Sequence, residues 1–208
     1  MIELTTFARR LHTARRWPAL PCLWFMTDER RCPDPLPVIE RLPAGTGVVL
    51  RHYGDPSRAA LARRVAAVCR QRRLTLVVGG DARLAAAVGA AGIHVRDQAG
   101  GPRRRPRRRG LATIAVHSRR ALLAAARARF DAAFVSPVFP TRSHPGRPIL
   151  GPLRLAGLVR SSPIAVVALG GIDPGTVSRL QPIALAGIAA IGALVAQFAP
   201  PAERPHGR

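Results

Sequence analysis

The chain has 208 residues, enough for one domain with a sizeable core, and 48% of them are hydrophobic. Its formal net charge of +22 comes from 33 basic residues, all of them arginine, which excludes any mechanism that needs a lysine Schiff base or a lysine phosphate clamp. No apolar run approaches the roughly 18–20 residues of a membrane span.

Residues 1–21 read as an N-terminal extension or helix; MIELTTFARRLHTARR lacks the apolar core of a secretory signal. LWFMT (23–27) is the first predicted strand and GVVLR (47–51) the second, followed by a helix over 57–73 whose apolar residues recur at helical spacing. LTLVVG (74–79) is the third strand, and DARLAAAVGAA continues as a helix. GIHVR (92–96), LATIAV (111–116), AAFVS (132–136), PIAVVAL (163–169) and LAGIAAIGAL (185–194) complete a set of eight. Helices are expected over 118–130, where Ser118 is placed to cap, and more briefly over 152–160 and 173–180. The connection 97–110 is too rich in glycine and proline for a helix, and 199–208 is a tail.

Continuous apolar strands alternating with helices imply a parallel sheet covered by helices. Eight in this rhythm predict a single α/β domain over 22–198, a (β/α)8 TIM barrel, for which about 200 residues is the lower end of the usual length. A doubly wound open sheet is the alternative, but no GxGxxG follows the first strand.

In a barrel the active face lies at the C-terminal strand ends, which selects Arg51, Gly79, Arg96, His117, Ser136, Gly170 and Gly192. Gly170 and Gly171 would let backbone N–H groups approach an anion, and Gly192 repeats the arrangement after the eighth strand; tight turns alone are the competing reading. His117 is the candidate acid/base, with a structural or capping histidine as the alternative. His94, inside the fourth strand, reads as packing. In the loop FVSPVFPTRSHPGRPILG (134–151), Thr141 and Ser143 are two residues apart and in an extended segment face one side, with Arg142 and His144 adding positive charge.

Cys22, Cys32 and Cys69 have neither metal-type spacing nor even pairing, which points to a cytoplasmic setting. The densest basic run, RRRPRRR (103–109), has no interleaved aromatics for base stacking and reads as a surface loop, which argues against a nucleic-acid partner.

PVFPTRSHPGRPILG, GIHVR, AVHS, AVVALGGI and GIAAIGAL, in that order, resemble segments of the thiamine phosphate synthase and thiazole tautomerase (TenI) family over residues 22–195. The resemblance implies a (β/α)8 barrel of thiamine biosynthesis that binds a small-molecule thiazole phosphate. It implies that Thr141, Ser143, Gly171, Ile191 and Gly192 hold the phosphate, and that His117 matches the histidine of the tautomerase. The family's synthases also use Mg²⁺ and a basic set to hold a pyrimidine diphosphate. At those positions this chain keeps Arg51 but has Val49 and Tyr53 for glutamine and lysine, Gly79-Gly80 for asparagine-aspartate, Arg96-Asp97-Gln98-Ala99 after the fourth strand, and His144 for a lysine; Ala115 replaces a serine. These departures favour a tautomerase-like activity needing no cofactor. The alternatives are the synthase reaction, with Mg²⁺ then expected, and a non-catalytic phosphate-ligand binding or regulatory protein. The oligomeric state stays open.

Overall fold

A computed structural model describes residues 3–13, 17, 19–96, 110–141, 146 and 148–200. Eight parallel strands form a closed barrel: β1 (Leu23–Met26), β2 (Gly47–Leu50), β3 (Thr75–Gly79), β4 (Gly92–Val95), β5 (Leu111–Val116), β6 (Ala132–Val135), β7 (Ala165–Leu169) and β8 (Gly187–Ala190), with β8 paired back to β1. The helices are α1 (Leu4–Thr13), α2 (Leu36–Ile39), α3 (Arg58–Gln71), α4 (Ala82–Ala87), α5 (Arg119–Arg127), α6 (Gly151–Ser161) and α7 (Gly192–Phe198).

The strands are buried on both sides, which is why they read as unbroken apolar runs rather than as an alternation. Outward residues such as Val48, Leu50, Leu76, Val78, Ile114, Val166 and Ile188 pack in one cluster with Leu61 and Val65 of α3, Leu122 of α5 and Leu155 of α6. Inward residues fill the barrel in layers. At the N-terminal end Leu20, Ala132, Ala165 and Ala186 close the floor with Trp17. Above them lie Trp24, Met26, Val49, Val77, Phe134, Val167 and Ala189.

Phe134 organises that layer. Its ring meets Trp24 edge-on at 5.2 Å and His94 edge-on at 4.9 Å, the tilted geometry that aromatic quadrupoles favour. Trp24 donates its indole N–H to the Pro21 carbonyl at 2.8 Å. A methyl group on Gly47 would stand 2.2 Å from the Trp24 ring, so β2 begins with the one residue that leaves room for it.

Helix starts follow local chemistry. The Asp81 side chain accepts from Leu84 N–H at 2.8 Å, and Ser118 Oγ accepts from Ala121 N–H at 3.1 Å, the expected serine cap. Two expectations need correction, and one element was unforeseen. The last strand stops at Ala190 rather than running to 194, because Gly192 already opens α7. The segment 173–180 forms only a 3₁₀ turn, Val177–Leu180; the Asp173 carboxylate takes the Gly175 and Thr176 N–H groups and so stabilises a turn before it. The four-residue α2 between β1 and β2 was not expected. The run 103–109 lies outside the described residues.

His94 is fully buried, and its Nδ1 lies 2.9 Å from Thr113 Oγ1, whose hydroxyl donates to the Ile93 carbonyl. Burial, helped by the positive charge of Arg51, pushes its pKa down from 6.5 to about 3. Between those values the unfolded chain binds a proton that the folded one does not, so stability is full above the unfolded value and declines as pH falls, by at most ~1.4 kcal/mol per pH unit. Thermal melts from about pH 7 down to about pH 4.5 are expected to show a steeper fall in Tm for the native chain than for His94→Gln. Parallel curves would contradict the buried neutral imidazole.

Candidate functional site

The strand alternation decides which side chains reach the mouth. Val49 points inward, so Arg51 does as well; Thr113 and then His117 follow the same rule on β5, and Phe134 and then Ser136 on β6. His117 is exposed, and its Nδ1 lies 2.5 Å from the Ser136 carbonyl oxygen and 3.3 Å from Ser136 Oγ. A carbonyl only accepts, so Nδ1 carries the hydrogen and the neutral ring has its lone pair on Nε2.

The loop after β6 is docked against the turn after β7. Val138 N–H donates to the Leu169 carbonyl and Phe139 N–H to the Gly170 carbonyl, both at 3.0 Å. Gly170 and Gly171 adopt φ of +96° and +65°, and a Cβ on Gly171 would lie 2.3 Å from the Pro140 carbonyl. Glycine is required here for backbone conformation and for close approach together. Thr141 directly follows Pro140, so the same docking brings it beside the Gly170-Gly171 turn. Ser143 and His144, also expected here, lie outside the described residues.

Ile191 packs its side chain against the barrel interior, which leaves its backbone for any ligand contact. Gly192 opens α7, where the first N–H groups of a helix have no intrahelical acceptor. Among the described residues, its chain neighbours and its own helix's backbone aside, no atom lies within 4 Å of a Cβ placed on Gly192.

Across the mouth, Arg51 is fixed by three bonds. Its backbone N–H donates to Thr27 Oγ1 at 2.9 Å, Nε to the Thr27 carbonyl at 2.6 Å, and a terminal nitrogen to Asp28 at 3.0 Å. Burial lowers the pKa of Arg51, against the pull of Asp28. Thr27 Oγ1 is also 3.0 Å from His52 Nδ1, while His52 Nε2 lies 3.0 Å from the Pro33 carbonyl. Nε2 therefore carries the His52 hydrogen and the Thr27 hydroxyl donates to Nδ1. Sequence reasoning missed Thr27 and His52; the only signal was a polar Thr-Asp pair at the end of an apolar strand.

The acids described near the mouth already have partners. Asp28 is paired with Arg51, Glu29 accepts from Gly54 N–H at 2.9 Å, and Asp81 caps α4. Among the described residues no group of three His, Cys, Asp or Glu side chains could hold a metal; Asp97 lies outside them.

A closed eight-stranded barrel with paired glycine turns after β7 and β8 is the frame that the sequence motifs anticipated. A family model described as thiamine monophosphate synthase matches residues 23–194. The chain belongs to that family. Members of this family act in thiamine biosynthesis, and the chain's relatives carry the corresponding names. It is 31% identical over 183 residues to a thiamine-phosphate synthase of Salinispora tropica, covering 83% of this chain and 88% of that protein. A thiamine-phosphate synthase of Geobacillus kaustophilus is 29% identical over 153 residues, 70% of this chain and 67% of the relative. Among solved structures, a thiamine phosphate pyrophosphorylase from Pyrococcus furiosus superposes with a TM-score of 0.70 at 26% identity, covering 82% of this chain and 85% of that one.

The two glycine turns differ in what they tolerate, and substitution separates them. Gly171→Ala is expected to destabilise by about 1–3 kcal/mol or more, through its positive φ and the clash with Pro140. Gly192→Ala is expected to stay within ~0.5 kcal/mol of the native chain. Denaturant titration of both variants reads the difference, and equal losses would contradict the docking of the two loops.

Proposed function

We propose that the protein binds a thiazole phosphate at the mouth of the barrel and interconverts thiazole tautomers without a metal, with His117 as acid/base. The observation that carries this reading is the His117–Ser136 contact. It fixes the imidazole tautomer so that Nε2, on the side away from the β6 backbone bond, holds the lone pair.

The reaction conserves every atom. Nε2 takes a proton from one ring position of the thiazole, the electron pair shifts through the ring, and the imidazolium returns a proton at a second position. One imidazole can serve both halves, and positioned acid–base catalysis of this kind contributes typically ~10²–10⁴-fold. The phosphate end is held by the Gly170-Gly171 turn, Thr141 and the Ile191-Gly192 backbone, with Ser143 as a further donor in the same loop. Backbone N–H groups suit this task because they recognise an anion whatever side chains surround them. Arg51, pinned across the mouth, supplies positive charge toward the ring.

A second reading keeps the synthase reaction named for the relatives, and Arg51 at its motif position favours it. The engaged acids described above weigh against the metal that this reaction requires. A non-catalytic phosphate-ligand protein is the third reading, marked by affinity without turnover.

His117→Ala is expected to lower tautomer turnover by about 10²–10⁴-fold while thiazole phosphate affinity stays within about twofold. Turnover equal to the native chain would remove His117 from the mechanism. In parallel, incubation with hydroxymethylpyrimidine diphosphate, thiazole phosphate and Mg²⁺ should yield no thiamine phosphate detectable as thiochrome; steady formation would instead establish the synthase reading.

A further inference from the structure

The β2–β4 side of the mouth carries a second feature. Tyr53, in the loop after β2, has two guanidinium groups against its ring: Arg96 at 4.5 Å and Arg58 at 5.2 Å from the centroid. Arg58 is anchored in turn, bonding the Gly79 carbonyl at 2.5 Å and lying 4.0 Å from Asp81.

The tyrosine hydroxyl reaches over the inner face of β3. Val77 points into the barrel, so Gly79 does too, and a Cβ on Gly79 would stand 2.5 Å from the Tyr53 oxygen. A Cβ on Gly80 would come within 3.4 Å of the same ring. Tyr53 therefore occupies the space that any side chain at 79 would need. The tyrosine and the two glycines form one packed unit.

Without that ring, Arg51, Arg58 and Arg96 would surround a notch beside a strand end that has no side chain. Guanidinium groups in such an arrangement suit a polyanion with several phosphoryl oxygens, because each presents paired donors in a fixed plane. With the ring in place, Arg58 and Arg96 are held by cation–π contact. The notch is filled.

We propose that Tyr53 is a specificity-determining plug: stacked with Arg58 and Arg96 over Gly79-Gly80, it closes the β2–β4 side of the mouth to a diphosphate and confines the ligand's anionic group to the glycine turns after β7 and β8. The proposal rests on the reading of those turns as the phosphate site. It concerns which ligands enter, not how they react.

The test is calorimetric titration of the full-length protein with inorganic pyrophosphate, with and without Mg²⁺. Tyr53→Ala is expected to bind pyrophosphate at least about tenfold more tightly than the native chain, and Tyr53→Phe, which keeps the ring, to match it within about twofold. Tyr53→Leu, which loses the ring but retains apolar volume, should follow the alanine variant if that one fails to fold. Equal or weaker affinity in the ring-less variants would overturn the proposal. So would native-chain binding that Mg²⁺ strengthens tenfold. A ligand-independent control is Gly79→Ala, expected to lower the Tm of the native chain more than that of Tyr53→Ala, where only the Leu50 carbonyl, 3.1 Å from the added Cβ, still crowds it. Because the titration involves neither thiazole nor His117, failure of the tautomerase reading and failure of the plug are separately visible.

Discussion

The strands of this barrel are only four to six residues long, so each contributes only two or three side chains to the interior. The contact of Phe134 with Trp24 and His94 is what makes so few residues sufficient. Three large rings span the space between β1, β4 and β6, while alanine or valine suffices at Val49, Val77, Val167 and Ala189. Gly47 is the counterpart of this choice, since the wide Trp24 ring removes any room for a side chain beside it. With the interior filled by rings, the strand ends are fixed, and the orientation of every residue one step beyond them follows from the alternation.

The mouth inherits two different kinds of control from that frame. On the β6–β8 side positions are set by backbone: loop docked on loop through Gly170 and Gly171, with Thr141 carried along. On the β2–β4 side they are set by charge and ring contacts: Arg51 on Thr27 and Asp28, Arg58 on Gly79, and Tyr53 against two arginines. The first kind depends on glycine, since Gly170 and Gly171 combine positive φ with close backbone approach.

This difference also explains what could be read in the sequence. The strands were legible because burial on both faces leaves an unbroken apolar run, and His117 and Ser136 followed by counting from their ends. The α1 helix was legible in part: Leu4, Phe7, Ala8 and Leu11 recur at helical spacing and pack on the core, yet the segment is flanked by residues with no such pattern. The end of β8 was not legible, because LAGIAAIGAL is equally apolar in its strand and helix halves. Nor was the Thr27–His52–Pro33 chain, which joins residues 25 positions apart through hydroxyl and imidazole contacts that no local pattern announces.

Tyr53 is the most instructive case. In the sequence it stands only as a residue in place of lysine, and Gly79-Gly80 as two missing polar side chains, so the positions look like separate losses. In three dimensions the tyrosine oxygen lies 2.5 Å from where a Gly79 side chain would begin, so the two positions compete for one space. A lysine at 53 would place a fourth positive charge among Arg51, Arg58 and Arg96, at a Coulombic cost that falls off slowly in a partly dry cleft. A tyrosine instead offers those cations a π face, and burial raises its own pKa so that it remains a neutral phenol despite three arginines pulling the other way. The chain therefore resolves the crowding of its arginines within the protein.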